Sequence, residues 1–423
     1  MKMDELPRLL ANLKLAPGVI KMDYEDFVVE EIPLYEACGT GTHTYFLVQK
    51  HGLGTMPAVH DLARALDVPR REIGYAGLKD ARAVTRQWMS VEHVDPERVK
   101  ELSIPRIEIL ETTRHTNKLK LGHLRANHFV IRVRHTQPQR QKELAAGLEQ
   151  LVTRGVPNYF GPQRFGGRGD AWKIGRAIVR SDLEGALDLV LGNPCERDSG
   201  DILRARELYE LGNYPHALRA WPGMFRDERR ALKTLHRTKG NKRIAFSAID
   251  HSLRRFYVSA YQSHLFNSVL AERLASGPDR IECGDLAWIH EKGAVFEVLD
   301  PLVEQPRADA FEISPTGPLY GYRMTQPKHR PGQTEARILA AEDLTSDSFR
   351  SKPLRLKGAR RALRFQPTNA QISLGADQRG AYLELRFTLP RGCYATSLLR
   401  ELFQEQRPVW DAAPVGISGA EDI

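Results

Sequence analysis

One carboxylate stands in a stretch of the chain whose residue types could do chemistry. The stretch is GYAGLKDARAVTRQWMS, residues 74–90, and the carboxylate is Asp80. A short apolar run interrupted by Gly74 and Gly77 precedes it, which predicts a strand that leads into a tight turn. The cationic neighbours of Asp80 are Lys79, Arg82 and Arg86. This pattern fits a salt-bridged carboxylate in a surface turn as well as a catalytic carboxylate.

The composition indicates a soluble globular protein with several domains. The 423 residues are enough for two or three domains, with 41% hydrophobic and 27% charged residues. The formal net charge is +9. Such an excess serves either as a solubilising surface or for binding a polyanion such as nucleic acid.

Metal, disulfide and membrane patterns are absent from the sequence. The four cysteines, Cys38, Cys195, Cys283 and Cys393, are widely spaced and form no C-x-x-C pair, which argues against a zinc ribbon or a disulfide framework. The N-terminal residues carry charges throughout, and no apolar run approaches the ~18 residues of a membrane span. We therefore expect a cytoplasmic protein without metal or cofactor.

The first third of the chain reads mainly as strands. Strands are predicted at 27–29, 43–50 and 121–134, and a helix is predicted at 57–66. In the strand 121–134, Phe129 and Ile131 would face one side. Three arginines of this segment, Arg125, Arg132 and Arg134, would line either a phosphate-binding surface or a solvated face of the strand.

The rest of the chain reads mainly as helices, at 139–154, 171–192, 202–214 and 252–276, and we expect Pro215 to end the third of them. Between the first two lies GVPNYFGPQRFGGRG, residues 155–169, which is too rich in Gly and Pro for a regular element. The cationic run 226–243 would be either the wet face of a helix or an RNA-facing surface. Residues 383–402 read as a strand, a turn and a helix.

Five of these segments resemble, in the same order, the signatures of the TruD family of tRNA pseudouridine synthases. The segments are KMDYEDFVVEE (21–31), GLKDARAVTRQ (77–87), VPNYFGPQRFG (156–166), VSAYQSHLFN (258–267) and FTLPRGCYATSLLRE (387–401). The resemblance extends from Lys21 to Leu402. It departs from the family pattern at Cys393, where the family has Ser.

The resemblance implies roles for individual residues. Asp80 would be the catalytic carboxylate, and Lys21 would pair with it and lower its pKa. Phe27, Asn127 and Tyr394 would contact the substrate, Tyr394 by stacking on the target base. Without the resemblance, Phe27 would be read as a core aromatic. The candidates for binding RNA are Arg125, Asn158, Gln163, Arg164, Arg229, Arg230 and Lys233.

The fold implied by the resemblance is α+β. A catalytic domain with a mixed, mostly antiparallel sheet would be formed by residues 1–153 and 361–423. Residues 154–360 would form an inserted α/β TRUD domain, with RNA in a cleft between the two. The implied substrate is tRNA, typically its uridine 13, and we expect a monomer.

The implied reaction is the isomerisation of uridine to pseudouridine. The N1–C1′ bond breaks, the uracil rotates and C5 bonds to C1′, which requires no metal or redox centre. Asp80 could attack C1′ or remove the C2′ proton. There are two alternative functions. One is a non-catalytic tRNA-binding protein or RNA chaperone on this scaffold, which the presence of Asp80 disfavours. The other is a hydrolase that uses Asp80 with His123 or His128, which no second carboxylate or ordered triad supports.

Overall fold

The fold is described from a computed structural model, which describes residues 5–350 and 355–406. These residues form two compact units. One, the discontinuous unit, contains residues 8–157 and 365–406. The other, the central unit, contains residues 5–7 and the described residues from 158 to 364. The domain limits expected from the sequence stay a prediction.

The first part of the discontinuous unit supplies most of its strands. The strands are β1 (Ala16–Val19), β2 (Phe27–Pro33), β3 (His43–His51), β4 (Gly74–Tyr75), β5 (Val84–Glu92), β6 (Ile107–His115), β7 (Leu124–Val133) and β8 (Val156–Pro157). The helices are α1 (Thr55–Leu66), α2 (Pro96–Lys100) and α3 (Gln141–Arg154). The strands and helices predicted from the sequence in this region are confirmed.

The central unit is mainly helical. Its helices are α4 (Ala171–Val179), α5 (Leu183–Leu191), α6 (Gly200–Glu210), α7 (Tyr214–Ala220), α8 (Arg226–Arg237), α9 (Lys242–Ser247), α10 (His251–Arg273), α11 (Pro301–Asp309) and α12 (His329–Ala340). Its strands β9 (Leu286–Ile289), β10 (Ala294–Glu297), β11 (Ile313–Leu319) and β12 (Ala359–Ala362) form an antiparallel sheet in the order β10-β9-β11-β12.

Two of the predicted helices differ in the structure. The segment 171–192 is two helices, because Ser181 adopts a left-handed backbone and Asp182 then accepts a hydrogen bond from the Gly185 N–H as the N-cap of α5. The helix expected to run from 202 to 214 ends at Glu210. Pro215 does not end it but lies in the first turn of α7, where the missing N–H costs no hydrogen bond.

The end of the chain completes the discontinuous unit. After β13 (Arg364–Phe365) come β14 (Thr368–Asp377), β15 (Gly380–Pro390), α13 (Ala395–Leu402) and β16 (Phe403–Gln406), so the predicted strand, turn and helix are confirmed. One eight-stranded sheet has the order β14-β15-β7-β2-β5-β3-β6, with β4 paired to β5. Only β2 and β5 are parallel in it. The expected mixed, mostly antiparallel sheet built from both ends of the chain is therefore confirmed.

Arg134 corrects one of the expectations for β7. Its side chain is only 5% exposed and forms ion pairs with the buried Asp26 and with Asp377. A buried and doubly paired guanidinium belongs neither to a phosphate-binding surface nor to a solvated face. The neighbouring Arg132 is partly exposed and pairs with Glu384.

One face of the large sheet changes from apolar to polar along its strands. This face contributes to two hydrophobic cores. One contains Phe46, Val48 and Met89, and the other contains Val29. Further along the same strands, and on the same face, lies a buried polar row. The row consists of Glu31 on β2, Thr85 and Gln87 on β5, and Lys50 on β3, all at most 3% exposed.

Lys50 is the most unusual member of the row because its ammonium group is fully buried. Its Nζ lies 3.4 Å from both the Leu53 carbonyl oxygen and the Thr55 hydroxyl. Burial, and secondarily the positive charge of Lys79, lowers the pKa of Lys50 from 10.5 to about 7, although Glu31 and Asp80 act in the opposite direction. The folded protein therefore releases this proton at a much lower pH than an exposed lysine would.

This shift predicts that the protein becomes more stable as the pH rises from about 7 to about 10.5. Across that window the unfolded state binds a proton at Lys50 that the folded state has released, so the free energy of unfolding increases with pH. The upper limit is about 5 kcal/mol, at about 1.4 kcal/mol per pKa unit. Lys50→Met should remove most of this increase and stabilise the protein at pH 7, as measured by urea unfolding at several pH values.

Lys142, which is exposed on α3, provides the matched control. Lys142→Met should leave the pH dependence of the wild type in place. An undiminished increase in the Lys50→Met protein would show that other groups are responsible for it.

Candidate active site

Asp80 lies in the connection between β4 and β5, on the discontinuous unit. Its Oδ1 accepts a hydrogen bond of 2.9 Å from the Arg82 backbone N–H, and its Oδ2 forms an ion pair with Lys21. The Asp80 side chain is 28% exposed, and that of Lys21 is 18% exposed. A carboxylate in this position has its charge compensated from within the protein while it still reaches solvent.

Lys21 is held at this place by its backbone and by an aromatic ring. It follows β1 in the left-handed region, with φ of 59°, which costs a non-glycine residue about 1 kcal/mol or more. Its Nζ also lies 4.3 Å from the centre of the Phe27 ring, within the range of a cation–π contact. The pairing of Lys21 with Asp80 was expected from the sequence, whereas the ring contact was not.

Lys79 precedes Asp80 in the sequence and was expected beside its carboxylate, but its side chain binds other residues. Its Nζ lies 2.7 Å from Glu31 Oε2 and donates a hydrogen bond of 2.8 Å to Asn127 Oδ1. The side chains of Lys79 and Glu31 are 5% and 0% exposed. Arg86 also points to other groups, since it donates to Gln49 and approaches Glu30. Neither of these two cations pairs with Asp80.

A chain of hydrogen bonds fixes the backbone that carries Lys79 and Asp80. The Lys79 N–H donates to the Thr55 hydroxyl at 2.9 Å, and this hydroxyl donates to Gln87 Oε1 at 2.8 Å. The Gln87 amide then donates to the Gly77 carbonyl at 3.2 Å. Since Thr55 and Gln87 are buried on regular elements, the loop is tied to α1 and β5 immediately before the candidate catalytic residue.

Phe27 is a core residue in this structure. It is 5% exposed and packs edge to face on Phe129, with 6.1 Å between the ring centres. Lys21 covers part of the ring, so the ring is not an open stacking platform. A contact between Phe27 and the substrate stays a prediction.

Three further predicted residues of this unit are accessible. Asn127 on β7 is half-buried, and Arg125 on the same strand is exposed. Tyr394 is half-buried at the N-cap position of α13. Of the residues predicted to act on the substrate, the contacts bring together Asp80 with Lys21 and Phe27, and separately Asn127 with Lys79.

The predicted RNA-binding residues of the 155–169 stretch are placed differently from one another. Asn158 is 5% exposed, donates to the Ala362 carbonyl and accepts from Arg361, which gives it a structural role. Arg164 donates to the hydroxyls of Ser259 and Ser263 on α10. Gln163 is exposed. The contact of each residue with RNA stays a prediction.

The cationic run begins on the amphipathic helix α8, and its cations are not equivalent. Arg229 donates to the carbonyls of Leu218 and Trp221 and so caps the end of α7. Arg230 and Lys233 are exposed. The predicted candidates therefore divide into one structural arginine and two surface cations.

The arrangement of the histidines does not favour a hydrolase. His123 Nδ1 lies 2.7 Å from the Tyr35 hydroxyl, and His128 Nδ1 lies 3.1 Å from the Thr388 hydroxyl. Among the described residues, neither histidine contacts Asp80. In residues 5–350 and 355–406 there is also no group of three or more His, Cys, Asp or Glu side chains suited to a metal ion.

Three buried charged residues of the site were not predicted from the sequence. Lys79 and Glu31 lie within the motifs but had no predicted role at the site, and Lys50 lies outside them. The available signal was the position of a charged residue on an otherwise apolar strand face. Glu31 is two residues from Val29, and Lys50 is two residues from Val48, so each shares a face with a core residue. A charged residue at such a position needs a partner.

Comparisons with known proteins agree over nearly the whole chain. The family model described as TruD, tRNA pseudouridine synthase D, matches residues 8–402. The tRNA pseudouridine synthase D of Geobacter metallireducens is 45% identical over 95% of this chain and 98% of its own length. That of Geobacter sulfurreducens is 44% identical over 94% of this chain and 96% of its own length.

A solved structure is similar as well. The crystal structure of the TruD protein of Methanosarcina mazei matches with a TM-score of 0.83 and 26% identity, over 95% of this chain and 96% of that one. In the described part of this chain, no helix has the length and apolar character needed to span a membrane.

Proposed function

The chain belongs to the TruD family of tRNA pseudouridine synthases, and from this premise we propose that Asp80 is the carboxylate that performs its reaction. The protein is an enzyme that isomerises uridine to pseudouridine in tRNA. We propose uridine 13 as the target, as the resemblance of the sequence motifs implies. The observation that carries the role of Asp80 is its ion pair with Lys21 at a partly exposed position.

The reaction requires a group that acts at the sugar while the base is detached. The N1–C1′ bond breaks, the uracil turns, and C5 bonds to C1′. C5 then loses its proton and N1 gains one, so the reactant and the product are isomers. Asp80 acts either by attack on C1′ or by removal of the C2′ proton. Both steps need a carboxylate, and the Lys21 ammonium and the Arg82 N–H compensate its negative charge before the substrate binds.

The target nucleotide must leave its stack, because its sugar carbon is otherwise inaccessible. In our proposal the half-buried Tyr394 stacks on the flipped base. Asn127 contacts the uracil edge. Phe27 supports Lys21 from the core, since its ring is buried and contacts the Lys21 ammonium.

Asp80→Asn should abolish the formation of pseudouridine while it leaves tRNA binding nearly unchanged. The amide keeps the size of the side chain but removes its charge, and binding rests mainly on phosphate contacts elsewhere. We expect the single-turnover rate to fall by roughly 10²-fold or more, as measured with unmodified tRNA and no added metal. Binding would be measured by filter retention.

Asp61 on α1 supplies the matched control, since its side chain is 29% exposed and also forms an ion pair, with Arg64. Asp61→Asn should retain the wild-type rate. Turnover by Asp80→Asn within about tenfold of the wild type would remove Asp80 from the chemistry. A wild-type protein that binds tRNA without forming pseudouridine would instead support the non-catalytic alternative.

For the contact with tRNA outside the reacting nucleotide, we propose a stripe of cations on α8. The α8 stripe consists of Arg226, Arg230, Lys233 and Arg237, which are exposed. Their spacing of four, three and four residues places them on one face of the helix, over a length of about 16 Å. Within the part of the chain that the structure describes, Arg226, Lys233 and Arg237 have no ion-pair partner.

The ion pairs and hydrogen bonds of other arginines in the central unit strengthen this proposal. Many of its other arginines bind carboxylates or backbone carbonyls; examples are Arg206, Arg273 and Arg360. In the α8 stripe, Arg230 pairs with Asp227 at 3.6 Å, whereas the other three cations stay exposed and unpaired among the described residues. Exposed, unpaired cations on one helix face are suited to a polyanion. The opposite face of α8 is buried through Ala231, Leu232 and Leu235, so the stripe is presented by a packed helix.

Replacing Arg230, Lys233 and Arg237 by Glu should weaken tRNA binding and flatten its salt dependence. Each phosphate contact that is lost lowers the slope of log K against log salt by roughly one unit. The rate of reaction on saturating tRNA should not change. As a control of equal charge change on the same unit, Lys292, Lys328 and Arg330 would be replaced by Glu. A slope that changes equally in both variants would mean that only net charge matters.

The ring and the hydroxyl of Tyr394 can be tested separately. The family pattern admits Phe at this position, so we expect Tyr394→Phe to keep most of the activity. Tyr394→Ala should lose roughly five- to a hundredfold, since a stacked base contributes about 1–3 kcal/mol. The measurement is the single-turnover rate on tRNA. If the Phe variant loses as much as the Ala variant, the hydroxyl transfers a proton and the stacking proposal is wrong.

A further inference from the structure

The side-chain amide of Asn127 has one defined orientation in this structure. Its Oδ1 lies 2.8 Å from Lys79 Nζ. A lysine ammonium has three N–H donors and no acceptor, so the amide atom that faces it has to be the oxygen. The NH2 group of Asn127 therefore points away from Lys79.

Lys79 itself has little freedom to turn away from Asn127. Its side chain is 5% exposed, and its ammonium lies 2.7 Å from Glu31 Oε2. The Glu31 side chain is 0% exposed, and its Oε1 has no hydrogen-bond partner among the described residues. Separating the two charges would leave each of them buried and uncompensated, which costs several kcal/mol. The backbone of Lys79 is also fixed, since its N–H donates to Thr55.

The register of the sheet explains why these three residues meet. Glu31 on β2 is directly opposite Asn127 on β7 in the antiparallel ladder, so both side chains leave the sheet on the same face. Lys79 reaches the pair from the loop that also carries Asp80. The loop thus brings the candidate catalytic carboxylate and the cation that binds Asn127 into the same site.

The free side of the Asn127 amide can only donate. Asn127 is half-buried, and in the described residues no group accepts a hydrogen bond from its Nδ2. An unoriented amide could serve a uracil edge as a donor or as an acceptor. With the oxygen already bound by Lys79, the group that remains for a ligand is the NH2.

We infer that Lys79 is a positioning residue that holds Asn127 as a hydrogen-bond donor to a carbonyl oxygen of the target uracil. This inference rests on the proposed function, because it assumes that Asn127 contacts the base. Uracil offers two such oxygens, O2 and O4. A donor directed at O4 would also discriminate against cytosine, which carries an amino group there.

The inference can be tested with tRNA in which the target uridine carries sulfur in place of either O2 or O4. A thiocarbonyl is a weaker acceptor, so one of the two substitutions should slow the wild-type reaction by roughly two- to tenfold, as expected for one hydrogen bond. The rate would be followed in single turnovers by digestion and chromatographic separation of the isomeric nucleosides. We call the ratio of oxygen to sulfur rates the thio effect.

The variants are chosen to remove the donor in three ways. Asn127→Ala removes the amide and should bring the thio effect close to one. Lys79→Met removes the cation that orients the amide and should reduce the thio effect in the same direction. Asn127→Asp keeps the shape but presents a second acceptor to the base, so it should abolish the thio effect while Lys79 stays in place.

Lys142→Met is the control, because it removes a lysine from the same unit that is exposed on α3 and has no role at the site. Its thio effect should equal that of the wild type. If Lys79→Met fails to fold because Glu31 is left unpaired, the pair Lys79→Met with Glu31→Gln removes both charges together and replaces it. A purely structural role of Lys79 would lower stability without changing the thio effect.

The outcomes separate this inference from the proposed function. A wild-type protein that forms no pseudouridine would overturn the proposed function itself. With an active wild type and an inactive Asp80→Asn, the inference is overturned if neither sulfur substitution slows the reaction. It is also overturned if the thio effect persists in Asn127→Asp, or if it persists in Lys79→Met while Asn127→Ala abolishes it.

Discussion

The buried ion pair between Lys79 and Glu31 is the interaction on which the geometry of the candidate active site depends. Both charges are almost completely removed from water, so neither could remain without the other. Replacing such a pair with apolar residues of similar volume is often neutral or stabilising. Its structural advantage here is therefore placement: it joins the Asp80 loop to the central strands of the sheet at one defined point.

Charge balance explains which charged residues occur in the buried polar row and beside it. The carboxylates Glu31 and Asp80 each have one close lysine, Lys79 and Lys21. A third full positive charge on Lys50 would leave an excess inside the protein, and the lowered pKa of Lys50 limits that excess near neutral pH. The buried polar row thus stays nearly neutral beside the partly exposed Asp80.

Much of the fold could be predicted from the sequence, because alternation and turn residues report local structure. The strand containing Phe129 and Ile131 was found from its alternation, and the C-terminal strand, turn and helix from one short segment. The misassigned ends have a local cause: Pro215 is compatible with either end of a helix, and the sequence does not show which. Arg134 was misplaced because its partner Asp377 lies 243 residues away, and composition carries no information about so distant a pairing.

Less of the candidate site than of the fold could be predicted from the sequence. A motif indicates which residues occur together, so Asp80 and Lys21 were found as a pair, but it does not state which cation binds which carboxylate. Lys79 adjoins Asp80 in the chain, and yet its side chain binds Glu31 and Asn127, because consecutive residues in an extended loop point in different directions. The direction of a hydrogen bond is even harder to predict from the sequence. Asparagine can donate or accept, and only a donor-only neighbour at a known distance determines which of the two it offers to a substrate.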